Sequence, residues 1–200
     1  MLLPLRVEQC LRALAVALLL ALAGPARAEP ADVTQLRLER TDEGVLLTAT
    51  VQFELPAQVQ DALLKGIPMY FVAEAGLLRD RWYWYDKLVA SAQRHMRLSY
   101  QPLTRRWRLQ VSSTQIGNSG LALGQTFETQ EEALRAVQSI AHWKIADVAD
   151  LEADARYTVD FRFRLDVSQL PRPFQIGAVG HAEWNISASR SQRVAVETGR

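Results

Sequence analysis

The sequence predicts a mainly β fold of the α+β kind, an antiparallel β-sandwich or strongly curved sheet carrying two short helices. Three observations predict it: runs in which apolar and polar residues alternate with period two, turn residues at hairpin spacing between them, and only two stretches with amphipathic helical spacing. Strands linked by hairpin-length turns argue for antiparallel pairing rather than β-α-β units. Two hundred residues, 48% apolar and 22% charged, suffice for one sizeable core.

The amino terminus departs from this pattern. Arg6 and Arg12 precede the uncharged run Ala13 to Ala23, and Gly24, Pro25, Ala26, Arg27 and Ala28 follow it. A basic flank, a short apolar stretch and Ala26 and Ala28 in small-x-small order are the marks of a cleavable secretory signal peptide, residues 1–28, cut after Ala28. The run is shorter than the ~20 residues needed to span a bilayer, so the expectation is a periplasmic protein without a transmembrane anchor after processing. Cys10 precedes the apolar run, which excludes a lipid-carrying cysteine at the new terminus and leaves the mature chain without a thiol. Removing the leader's three arginines and one glutamate from 23 basic and 22 acidic residues leaves 20 against 21. That near-neutral balance lacks the basic field that nucleic acid requires.

In the remaining chain, residues 29–190 read as one β-rich domain and 191–200 as a polar, frayed tail. Leu36 and Leu38 alternate with Arg37 and Glu39; Val45, Leu47, Ala49, Val51, Phe53 and Leu55 alternate with polar residues, and Thr41 to Gly44 joins the two runs into a hairpin. Pro56, Val59, Ala62, Leu63 and Gly66 mark a short helix. Ile67 to Ala75 alternates again, a turn is expected near Gly76 to Asp80, and Trp82 to Tyr100 then forms one long strand, or two joined by a bulge near Arg94 and His95. Trp107, Leu109 and Val111 give a strand, and Gly117 to Gly120 a loop. Thr129 with Glu132 is a capping box opening a second helix, with Ala133, Leu134, Val137, Ile140 and Ala141 as its buried stripe. Arg156 to Val167 is the most regular strand, and Ala182 to Ala188 the last.

Taken together, Arg81 to Lys87 (RWYWYDK), Leu98 to Trp107 (LSYQPLTRRW), the helix ending in Trp143, and Leu165 to Ile176 (LDVSQLPRPFQI) with Trp184 downstream resemble the bacterial family DUF4390 over about residues 32 to 188. The resemblance implies an exported proteobacterial protein of unknown function, with genes that often lie beside a ribosomal RNA methyltransferase and a two-component sensor kinase. It therefore points towards envelope signalling without specifying chemistry. Members tend to end in a further tryptophan-bearing strand. Ser189 to Arg200 holds no aromatic residue, which suggests a shortened or lost closing strand.

Candidate functional residues fall in four groups. Trp82, Tyr83, Trp84 and Tyr85 place two aromatics on each face of a strand, either as a stacking platform for a sugar or apolar ligand or as core packing. Arg156, Arg162 and Arg164 share a strand face with Asp160 and Asp166, either as guanidinium forks for an anion or as a solvated charge ladder. Leu170, Pro171, Arg172, Pro173, Phe174 and Gln175 read as an extended segment, because proline fixes φ and disfavours helix before it; Phe174 would plug an open sheet end or dock a partner. Asp147, Asp150, Glu152 and Asp154 lack the glycine and final glutamate of an EF-hand, and His95, His142 and His181 lack ligand spacing, so no metal and no cofactor is expected. There is no Gly-x-Ser-x-Gly elbow. The leading expectation is a non-catalytic periplasmic binding or protein-interaction module acting on a protein or apolar ligand of the envelope. The alternatives are a glycan- or cell-wall-acting enzyme using acidic residues distant in sequence, and a structural subunit of an envelope assembly.

Overall fold

The computed structural model describes residues 31–80, 86–116, 123–152, 155–178 and 184–194. Along the chain these form β1 (Asp32–Thr41), β2 (Gly44–Gln52), α1 (Ala57–Leu64), β3 (Met69–Arg79), β4 (Lys87–Gln101), β5 (Arg106–Ser112), β6 (Leu123–Phe127), α2 (Gln130–Gln138), β7 (Ser139–Ala146), β8 (Tyr157–Leu165), α3 (Arg172–Ala178) and β9 (Ser187–Val194). The strands make two antiparallel sheets, a narrow one in the order β1-β2-β7 and a broad one in the order β6-β5-β4-β3-β8-β9. This is the expected mainly β architecture in its sandwich form, with sheets of unequal width.

Alternation creates the core between the sheets. Val45, Leu47, Ala49 and Val51 of β2 are buried, as are Phe71, Ala73, Ala75 and Leu77 of β3 and Tyr157, Val159, Phe161, Phe163 and Leu165 of β8. Phe53, just past β2, brings its ring to 5.6 Å from Phe71 and 5.4 Å from Phe163, which stack on each other at 5.7 Å. This triad ties the end of the narrow sheet to the middle of the broad one. One flank is closed as well: Arg190 of β9 donates through Nη1 to the Val33 carbonyl of β1 at 2.8 Å.

Two glycines are structurally required. Gly44, at φ 133°, lies where a Cβ would stand 2.0 Å from the Ala146 carbonyl oxygen, so the tight β1–β2 turn accommodates β7 only without a side chain. Gly66, at φ 84°, ends α1: its N–H donates to Leu63 O and that of Ile67 to Ala62 O, the two bonds of a Schellman closure. The Thr129–Glu132 capping box forms as expected, with Glu132 N donating to Thr129 Oγ1 at 3.2 Å and Thr129 N to Glu132 Oε2 at 3.4 Å.

Several sequence expectations are corrected. The second helix stops at Gln138 instead of reaching Trp143, and Ser139–Ala146 is strand β7. Ile140 and Ala141 fit helical spacing, but the free edge of β2 offers backbone partners along this whole segment, and that long-range pairing wins. No turn interrupts β3 at Gly76, since β4 and β8 pair it from both sides through Arg79. The bulge in β4 lies at Val89, between the Leu77–Ala90 and Leu78–Leu88 pairs, and not near Arg94 and His95. Strand β6 is an element that the sequence pattern does not predict. The last strand is Ser187–Val194 instead of Ala182–Ala188, and residues 191–194, expected in a frayed tail, belong to it: β9 pairs with β8 from Tyr157–Val194 to Arg164–Ser187, so the closing strand is neither lost nor short.

The Pro171–Phe174 segment is not extended. Pro171 precedes α3 and Pro173 occupies its first turn, where a missing N–H costs nothing; the N–H groups of Phe174 and Gln175 donate to Pro171 O at 2.9 and 3.2 Å. Among the described residues, no helix is long and apolar enough to cross a membrane. The expected signal peptide with Ala26 and Ala28, the aromatic run Trp82 to Tyr85, the Gly117–Gly120 loop, Asp154 and His181 lie outside the described residues.

Two predictions follow from this packing. Phe163→Ala removes a ring that touches both other members of the triad and should lower unfolding free energy by about 3 to 5 kcal/mol in urea titration. Asp166, just past β8, is the second. Burial opposes its ionisation, but hydrogen bonds from the Ser168 hydroxyl, Gln169 and the Ser168 amide, with the charge of Arg164, outweigh burial and hold its pKa below the usual 3.8. A depressed carboxyl stabilises the fold above its unfolded pKa, and that stability is lost as pH falls through the folded value. Urea midpoints of Asp166→Asn should therefore trail the parent at neutral pH and converge with it below the ordinary aspartate pKa.

Candidate functional site

A three-stranded sheet cannot cover a six-stranded one. Helix α2 lies across β5 and β6, and β7 lies over β4, but between β7 and the β4–β6 side a cleft of about 600 Å³ stays open. The volume falls within the range of small-molecule sites, about 300 to 1,000 Å³. Trp143 forms one wall; Arg94 and Val111 lie opposite on the broad sheet, Gln93 and Gln125 flank them, and Ser112, Ser113 and Gly124 complete the lining.

Arg94 belongs to the inward face of β4. It sits across from fully buried Ala73, in the same alternation as half-buried Ala92 and buried Met96 and Leu98. Its Nε is buried and has no hydrogen-bond partner. Burial lowers its pKa from the ordinary arginine value. Arg94 is half-buried and has no ion pair among the described residues, and a partly desolvated guanidinium without a counter-charge is costly.

Trp143 reaches the cleft through a bulge. Ile140 pairs with inward-facing Ala49, so strict alternation would turn residue 142 inward and 143 outward. An extra β7 residue is accommodated between the Ile140–Ala49 and Trp143–Leu47 pairs; His142 adopts φ 47° and its N–H donates to Thr48 Oγ1 at 3.3 Å. The phase flips, and Trp143 shares the face of fully buried Leu47. Bulges commonly re-aim a side chain beside a functional site.

A smaller groove of about 340 Å³ lies mainly on the outer face of the broad sheet, where Gly76 leaves a gap bordered by Leu88, Glu74, Asp160 and Arg162. The charge ladder expected on β8 is present there in part: Arg164 pairs with Glu74 at 3.3 Å and with Asp166 at 3.6 Å. Arg97 lies 5.8 Å from the centre of the Tyr70 ring, and His95 is on the same outer face.

Of the other sequence candidates within the described residues, some pack or pair within the fold and some are exposed. Phe174 is half-buried with its ring 6.4 Å from that of Trp184, whose indole N–H donates to Gln58 at 3.2 Å; Pro171, Arg172 and Pro173 are exposed. Phe174 thus covers an end of the core, the packing alternative for that residue. Asp147 pairs with Lys144 at 2.5 Å, Asp150 accepts from the Asp147 amide, and Glu152 pairs with Arg79. Arg156 is exposed and its carbonyl accepts from the Asp80 amide.

Sequence reasoning missed both principal residues of the cleft. The available signal was Arg94 itself, a charged residue in register with Ala90, Ala92, Met96, Leu98 and Tyr100. Trp143 gave none while its segment was read as helix, since only pairing with β2 reveals its face.

Fold and site together define an antiparallel two-sheet protein with a half-covered intersheet cleft. The chain belongs to the DUF4390 family: the model of this domain of unknown function matches residues 28–194. Nothing among curated proteins or solved structures matches it.

The bulge can be tested directly. His142→Gly should fold with undiminished stability, because glycine adopts positive φ freely, whereas His142→Val should lose about 1 to 3 kcal/mol in chemical denaturation. Equal stability of the two variants would contradict the strained conformation.

Proposed function

We propose that the chain is an exported, non-catalytic binding module of the cell envelope that takes its ligand in the cleft between Trp143 and Arg94. The observation that carries this reading is Arg94: a half-buried guanidinium with an enclosed, unpartnered Nε, lining a cleft of ligand size. A fold ordinarily avoids such an arrangement, and departures of this kind concentrate at functional sites. The lining supports recognition in preference to bond-making. Trp143 supplies flat apolar area, while Gln125, in inward register, supplies a neutral hydrogen-bonding side chain. The leader-like residues 1–28 support export, and the gene neighbourhood implied by the family resemblance fits a ligand-responsive envelope protein.

The test uses the full mature chain labelled with 5-fluorotryptophan, with Trp143 assigned through Trp143→Phe. Adding the dialysable fraction of a periplasmic extract should shift the Trp143 fluorine resonance saturably and leave Trp107 unmoved. A Trp143 signal indifferent to extract, or recovery of the chain from cells still carrying residues 1–28 in the cytoplasm, would overturn the proposal.

A further inference from the structure

The geometry points to a carboxylate as the group Arg94 recognises, on a small ligand whose flat or apolar body rests against Trp143 and Val111; this rests on the binding-module reading above. Three features of the cleft narrow the chemistry. Arg94 is its cation among the described lining residues, and those residues include no carboxylate. One guanidinium matches a singly charged anion, whereas phosphate groups are usually held by several positive or backbone donors. Nε is enclosed, which leaves the two Nη groups as the end-on fork that can donate two parallel bonds to the two oxygens of a carboxylate.

The surroundings fit the rest of such a ligand. Ala73 opposite Arg94 and Ala92 beside it are small, which leaves room on that side of the guanidinium. Trp143 stands across the gap, placed there by the bulge at His142, and Val111 adds a second apolar surface. Charge at one end and a flat surface at the other select a monoanion with an apolar or ring-shaped body.

Benzoate, benzamide and inorganic phosphate are suitable probes of the full mature chain, read by the Trp143 fluorine signal and the Arg94 Nε–H nitrogen resonance. Benzoate should move both saturably, and benzamide, the same ring without the charge, should bind roughly tenfold or more weakly, as loss of a charge-assisted fork predicts. Arg94→Lys keeps the charge but loses the fork and should weaken benzoate binding; Arg94→Met should abolish it while unfolding at the same or higher temperature, since it removes a half-buried charge that has no ion pair among the described residues. Equal binding of benzoate and benzamide would overturn the carboxylate assignment and leave the cleft as a binding place. Preference for phosphate would overturn it in favour of another anion. No response of Trp143 to any probe, or a melting temperature of Arg94→Met well below the parent's, would overturn it as well, the latter by making Arg94 structural.

Discussion

The governing constraint is a mismatch of widths. Three strands packed on six leave about half of the broad inner face to be covered by other elements, and apolar surface exposed there would weaken the fold. The chain resolves this in pieces. Phe53 fixes the narrow sheet over Phe71 and Phe163, Arg190 closes the β1–β9 flank, and α2 covers β5 and β6 with Ala133 and Val137. The uncovered remainder carries polar residues in inward register, Arg94 and Gln125, as a surface left wet must. The cleft is thus a consequence of sheet proportions that the local sequence has adapted to.

Bulges decide which residues this surface presents. In a strand of fixed period two, one inserted residue moves everything beyond it to the other face. At Val89 the insertion turns Leu88 outward, where it is 56% exposed and borders the Gly76 groove. At His142 the same device turns Trp143 inward. The left-handed conformation of His142 is the local cost of that reorientation, and the pairing of β7 with β2 on both sides of the bulge sustains it.

The same physics explains what could be read from the sequence. Strands β1, β2, β5 and β8 were legible because one face of each is buried and their alternation is uninterrupted, or nearly so. The caps of α1 and α2 were legible because they are local: Gly66 and the Thr129–Glu132 pair need no distant partner. Strand β7 was not, because Ile140 and Ala141 satisfy helical spacing equally well, and the edge that makes them a strand lies some ninety residues earlier in the chain. The proline segment misled for a related reason: two prolines disfavour helix ahead of them, yet both are tolerated at or before the first turn, where α3 places them. Of the site, only the anomaly at Arg94 was visible, and its meaning depended on the phase of Trp143.

Buried polar atoms on β4 show why Arg94 stands apart. Arg94 Nε, His95 Nδ1 and Arg97 Nε are all buried without hydrogen-bond partners, within four residues of one strand. Arg97 has the face of Tyr70 beneath it, and a cation over an aromatic ring recovers part of what a missing acceptor loses. A neutral imidazole carries only one N–H, so one of its two nitrogens can forgo a donor at modest cost. Arg94 has neither resource. It is charged, it lies on the inward face instead of the outer one, and its same-face neighbours Ala73, Ala92 and Met96 offer a guanidinium no carboxylate. The compensation it lacks within the fold is what a bound carboxylate would supply.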